Sequence, residues 1–171
     1  KVIEAHGIYP DYVAGLSLGE YSALAYAGAF DIQDAITIVR HRGQIMSEAL
    51  PAGTTSMAAV LAMDATKIQE VIAPIDGVTI ANYNCPGQIV ITGVIEAVET
   101  ASQKLKEAGA KRVIPLKVSG AFHSPLLEEA SHQLKAELEK YDIHQPRIPV
   151  VYNVSGKEED GDLIDILTRQ I

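Results

Sequence analysis

A serine between two glycines, Gly15-Leu16-Ser17-Leu18-Gly19-Glu20, is the stretch of this chain most able to do chemistry. It follows a short strand-like run, Tyr12-Val13-Ala14, and leads into a helical run, Tyr21 to Ala27. A serine at a strand-to-helix turn is the setting of a nucleophile elbow, in which the tight backbone pushes the hydroxyl clear of the main chain. The amide of Leu18 would lie at a helix N-terminus, where it has no partner within the helix and can face a developing oxyanion. Small residues also pack well at such crossings, so the motif alone leaves a purely structural turn open.

A serine hydroxyl needs a base, and of five histidines His123 stands apart. It lies in Gly120-Ala121-Phe122-His123-Ser124-Pro125, after a strand-like run and before a helical one, where α/β proteins commonly present reactive groups. The positive end of that helix would help keep the ring neutral. His6, His41, His132 and His144 read as solvated or capping residues. Asp142 and Asp162 follow His123 in the chain without standing in a motif; a backbone carbonyl orienting the ring would give a Ser-His dyad instead. Cys85, the one cysteine, reads as a turn residue, and no metal, P-loop or dinucleotide spacing is present.

Arg42 is singled out by its position on a helix. Asp31 is a good N-cap for a helix expected to reach about Leu50, with Ala35, Val39, Met46 and Leu50 as its apolar stripe. Arg42 falls on that stripe, and a guanidinium on a buried side must find an anion or reach out to water. Arg40, two residues earlier, falls on the solvent side.

The elements that must position these groups follow from changes of hydrophobic period. Residues 57–62, 78–83, 88–92 and 112–118 read as strands, with helices from Asp64 to about Ala73 and from Ile95 to Ala108. That order, βαββαβ, predicts a ferredoxin-like unit. The fold class expected is therefore α/β, with an α/β-hydrolase-like core in residues 1–53 and 120–171 carrying the serine elbow and the histidine. Residues 54–119 would form the ferredoxin-like small subdomain. Further on, a helix is expected from Pro125 to about Tyr141, with Ser124 as its N-cap, then a strand over 150–154 and a last helix still running at Ile171. Residues 1–6 read as the end of a helix, and the sequence is expected to be truncated at both ends.

Composition bounds the function class. At 171 residues, 47% apolar and with no run of eighteen apolar residues, the chain reads as a soluble globular protein, cytoplasmic by default and without membrane contact. A formal charge of -8 argues against nucleic-acid binding. Lys104, Lys106, Lys111, Arg112 and Lys117 form a local basic exception. It is either an ordinary solvated edge or a docking patch for an acidic partner.

Taken together, Gly-Leu-Ser-Leu-Gly-Glu at 15–20, Arg42-Gly43 with Met46, the run from Asn84 to Ile91 and Gly120 to Ser124 resemble the malonyl-CoA:acyl carrier protein transacylases from end to end of the sequence. The same motifs occur in acyltransferase domains of polyketide synthases. The resemblance implies a malonyl ester on Ser17, His123 as general base and then acid, and Arg42 as partner of the free malonyl carboxylate. Leu18 would give one oxyanion amide, and Met46 belongs to the substrate site. Phe122 goes with malonyl over α-methyl-branched substrates. Implied substrates are malonyl-CoA and phosphopantetheinylated acyl carrier protein, with no further cofactor. Many relatives carry histidine where this chain has Leu16, a position outside the dyad. A second oxyanion amide and a segment that helps hold the histidine are expected outside this sequence. Two other readings stay open: a serine hydrolase or thioesterase on a similar elbow, and an inactive fragment or binding module.

Overall fold

The computed structural model describes residue 2, residues 4–118 and residues 120–171; Lys1, Ile3 and Ser119 lie outside the described residues. The fold is mixed α/β, and the chain packs as two compact units, residues 1–43 with 131–170, and residues 44–130 with 171.

In the first unit, β1 (Val13–Ala14) pairs in parallel with β6 (Val150–Val151), joining segments remote in sequence. Helix α1 (Leu18–Ala27) leaves directly from the serine turn and ends at Gly28, whose φ of 81° is the left-handed conformation glycine adopts without a Cβ penalty. A Cβ there would also meet the Arg147 guanidinium at 2.5 Å. Helix α2 (Ile32–Glu48) begins where Asp31 accepts from the amides of Gln33 and Asp34, as its residue type predicts. Helix α5 (Glu128–Leu138), which belongs to this unit from Ser131 on, and α6 (Leu163–Thr168), capped by Asp162, complete the set. Buried side chains here include Tyr21, Leu24, Ile38, Leu134, Leu138 and Leu167.

In the second unit, β2 (Thr55–Leu61), β3 (Val78–Cys85), β4 (Gln88–Val94) and β5 (Arg112–Pro115) form one antiparallel sheet in the order β3-β4-β2-β5. Helices α3 (Ala65–Ile72) and α4 (Ile95–Glu107) pack on it, burying Val60, Ile68, Ile91, Val98 and Leu105 in one cluster. Met46, Leu127 and Ala130 form a smaller cluster against which Phe122 packs.

Several expected boundaries move. The helix expected from Pro125 is a 3-10 turn, Pro125–Leu127, before α5; Ser124 stands at its N-cap position as expected, but its hydroxyl makes no cap bond and donates to the Ala121 carbonyl at 2.8 Å. The last helix stops at Thr168 instead of running through Ile171, and the strand expected over 150–154 is two residues long. The start contains a 3-10 turn over Glu4–His6, closed by Gly7. No helix among the described residues is long and apolar enough to cross a membrane.

One polar tie fixes α2 against α5. His41 Nδ1 lies 2.5 Å from Glu137 Oε1, which also accepts from the Tyr141 hydroxyl, while Lys140 reaches Oε2 at 2.6 Å. Lys140 first, then His41 and Tyr141, hold the Glu137 carboxyl down to about 2. An unfolded glutamate titrates near 4.5. A carboxyl held below its unfolded value stabilises the fold at pH above that value, and the contribution is lost as pH falls through the folded one. Glu137→Gln is therefore expected to flatten the acid limb of the stability profile between about pH 4.5 and 2. Thermal melts across that range read this directly; acid limbs that run parallel in parent and variant would contradict it.

Candidate active site

Ser17 sits at the turn between β1 and α1 with φ 50° and ψ -111°, a conformation costly for a residue with a side chain. Such strain persists only where surroundings enforce it, and here they do. A Cβ on Gly15 would lie 2.0 Å from the Gly19 carbonyl carbon, so the two arms of the turn close to a distance only glycine permits at position 15. Gly19 is different: a Cβ there would meet nothing within 4 Å.

The amides of the turn are shared out unequally. Ser17 N–H donates to Asn153 Oδ1 at 2.9 Å, Gly19 N–H to the Leu16 carbonyl and Glu20 N–H to the Ser17 carbonyl. Leu18 N–H makes no hydrogen bond among the described residues, and Leu18 is half exposed. An open amide beside a serine hydroxyl at a helix N-terminus has the chemistry to donate to an anion.

Arg42 comes to the same place from α2. It is 5% exposed, whereas Arg40 is exposed, as the stripe predicts. Its Nη2 donates to Ser17 Oγ at 3.0 Å and to Gln170 Oε1 at 2.9 Å, and the guanidinium lies over the Tyr21 ring, 5.4 Å from its centroid. Nε is buried without a hydrogen bond among the described residues. Burial pushes the Arg42 pKa down and that of Tyr21 up to about 12. A guanidinium so placed remains charged, with Nε short of an acceptor and Nη2 directed at the Ser17 hydroxyl.

Three residues that the sequence did not single out complete the surroundings. Glu20, fully buried, accepts from Asn153 N–H at 2.7 Å and from Gln170 Nε2, and Gln170 Nε2 also donates to the Ser17 carbonyl at 3.1 Å. Burial raises the Glu20 pKa, opposed by the Asn153 and Gln170 hydrogen bonds and by Arg42. Ser17, Asn153, Glu20, Gln170 and Arg42 thus form a closed ring of hydrogen bonds. One signal could have found Asn153: it follows β6 as Ser17 follows β1, and ligand sites of α/β sheets gather beyond the carboxyl ends of parallel strands. Nothing in the sequence marks the burial of Glu20 or Gln170.

The remaining expected site residues lie in the second unit. His123 has φ 56°, and with Ser17 and Ala62 it is one of three non-glycine residues in the left-handed region among those described. It is partly exposed, in the loop between β5 and the turn before α5. Phe122 packs against Met46 and Leu127. A cavity of about 1030 Å³ opens along α1 and α2, with Leu18, Tyr21, Ile32 and Ile36 in its walls, and neither Ser17 nor Arg42 lines it. No group of three or more His, Cys, Asp or Glu side chains among the described residues is placed to hold a metal ion.

The model of the acyl transferase domain matches residues 1–166. The malonyl CoA-acyl carrier protein transacylase of Bacillus subtilis is 50% identical, over 96% of this chain and 54% of the relative. The crystal structure of the enzyme of that name from Clostridium perfringens superposes with a TM-score of 0.95 at 40% identity, covering 99% of this chain and 55% of the other. A malonyl-transacylase solved in complex with a type II polyketide synthase acyl carrier protein gives a TM-score of 0.94 at 40% identity, with 99% and 57% covered. The chain spans about half the length of the relatives it matches.

The turn itself yields a test that separates its two glycines. Gly15→Ala is expected to abolish the native turn and lower the thermal midpoint sharply. Gly19→Ala, in the first turn of a helix, should leave stability unchanged or raise it by up to about 1 kcal/mol. Equal losses in the two variants, read by denaturant titration, would contradict this assignment.

Proposed function

The chain belongs to the acyl transferase domain family, and on that footing we propose that it carries a malonyl group from malonyl-CoA, through an ester on Ser17, to the phosphopantetheine thiol of acyl carrier protein. The pathway served is fatty acid or polyketide biosynthesis, and the location cytoplasmic. The names of the relatives support this, but the observation that carries it is the buried guanidinium of Arg42, 3.0 Å from the Ser17 hydroxyl. A hydrolase of plain acyl chains has no use for a buried cation beside its nucleophile, whereas a malonyl group brings the carboxylate that this cation lacks.

The roles follow. Ser17 Oγ attacks the thioester carbonyl and gives its proton to His123, while the Leu18 amide donates to the oxyanion. The carbon–sulfur bond breaks, and His123 returns the proton to the departing CoA sulfur. In the second half the carrier thiol attacks the ester, its proton passes to His123, and Ser17 Oγ leaves and recovers it. Arg42 holds the free carboxylate throughout, and Phe122, backed by Met46, leaves no room for an α-methyl branch. The positive φ of both Ser17 and His123 supports this pairing of roles, because strained backbone gathers at reactive residues. The chemistry needs no metal or redox cofactor, only the two substrates.

The finer architecture belongs to the same proposal. The parallel β1–β6 pair and the serine turn support an α/β-hydrolase-like core in residues 1–53 and 120–171. The strand order β3-β4-β2-β5 supports a ferredoxin-like subdomain over 54–119. Lys104, Lys106, Lys111, Arg112 and Lys117 are all exposed, and they offer an acidic carrier protein a docking surface; the reading includes no nucleic-acid or membrane contact.

Intact-mass analysis after incubation with malonyl-CoA tests the reading. A stable malonyl adduct on Ser17 is expected in the parent protein and none in Ser17→Ala. Arg42→Ala should lower the second-order loading rate by about 10- to 100-fold, the scale of a charged hydrogen bond. Malonyl loading that survives Arg42→Ala undiminished, alongside efficient cleavage of long acyl thioesters, would turn the assignment to a hydrolase.

A further inference from the structure

We propose that Glu20 is a positioning residue for the transfer reaction, fixing the direction of the hydrogen bonds that hold both the Arg42 guanidinium and the Ser17 turn. This rests on the reading of Arg42 as partner of the malonyl carboxylate and adds to it the group that aims the guanidinium.

The side-chain amide of Gln170 has a donating end and an accepting end, and turning it over exchanges them. Its Nε2 faces two acceptors, Glu20 Oε2 and the Ser17 carbonyl, which leaves Oε1 to accept from Arg42 Nη2 at 2.9 Å. An ionised carboxylate can only accept, so Glu20 enforces this orientation. Were the amide turned over, its NH2 would meet the guanidinium donor to donor and its oxygen would meet the Ser17 carbonyl, acceptor to acceptor. The other oxygen of Glu20 accepts from Asn153 N–H at 2.7 Å, and Asn153 Oδ1 in turn accepts from Ser17 N–H at 2.9 Å. One side chain, fully buried on α1, therefore sets the acceptor facing the guanidinium and anchors the backbone of the residue whose Oδ1 pins the strained serine. A glutamate needed only at a helix N-terminus would gain its dipole interaction at the surface, without the cost of burial.

Glu20→Gln tests this with little change in volume. It places an NH2 against the NH2 of Gln170 or forces that amide over, and either outcome misaligns Arg42. In the intact protein the loading rates with malonyl-CoA and acetyl-CoA are compared, since acetyl has no carboxylate to bind. The preference for malonyl should fall by about 10-fold or more, chiefly through KM for malonyl-CoA. Exchanging the pair, Glu20→Gln with Gln170→Glu, returns a carboxylate oxygen to face Arg42 and should restore part of the preference. Should Glu20→Gln fail to fold, Gln170→Met cuts the same arm at similar volume and carries the same expectation. Equal losses on both substrates in the folded variants would make Glu20 a structural residue only and overturn the inference. A parent protein that loads acetyl-CoA as readily as malonyl-CoA would instead overturn the reading of Arg42, and this inference with it.

Discussion

A buried guanidinium beside a serine hydroxyl is the constraint on which the rest of the site depends. Removing Arg42 from water costs several kcal/mol before any partner is counted, and the Tyr21 ring, the Gln170 oxygen, the Ser17 hydroxyl and the nearby Glu20 carboxylate offset part of it. The fold accepts that cost where a neutral side chain would pack more cheaply. What the arrangement gains is a cation held in place 3.0 Å from the Ser17 hydroxyl, and under the proposed function an anionic acyl group would meet it without reorganisation.

The strained turn and the buried charge are supported by the same atoms. Asn153, from the end of β6, holds the Ser17 amide, and the Ser17 carbonyl and hydroxyl are taken by Gln170 and Arg42. With its own amide so occupied, Ser17 is followed by the one amide of the turn, that of Leu18, that makes no hydrogen bond among the described residues. Division of labour among neighbouring backbone groups of one turn thus follows from where the second strand brings its asparagine. The parallel β1–β6 pair is short, two residues in each strand, yet it brings Ser17 and Asn153 together.

How much of this the sequence carried depends on the range of the interaction. The serine turn was legible because strand, glycine, serine and helix are contiguous. The burial of Arg42 was legible because helical period alone places it with Met46 and apart from Arg40. The βαββαβ order was legible through changes of period, with strand ends moved by at most three residues. Glu20, Asn153 and Gln170 were not, although Glu20 stands inside the motif. Their roles come from contacts 133 to 153 residues apart in the chain, and an acidic residue in a first helical turn reads by default as a surface complement to the helix dipole. Ser124 shows the opposite failure: a good capping residue by type, it gives its hydroxyl to the Ala121 carbonyl because the segment before it folds back.

The most direct measurement of the central claim is a crystal structure of the intact protein trapped as its malonyl ester. The account predicts the ester on Ser17 Oγ, its free carboxylate paired with the Arg42 guanidinium, and Gln170 Oε1 still accepting from Nη2. A trapped ester whose carboxylate lies in solvent, with the guanidinium turned away to another partner, would contradict it.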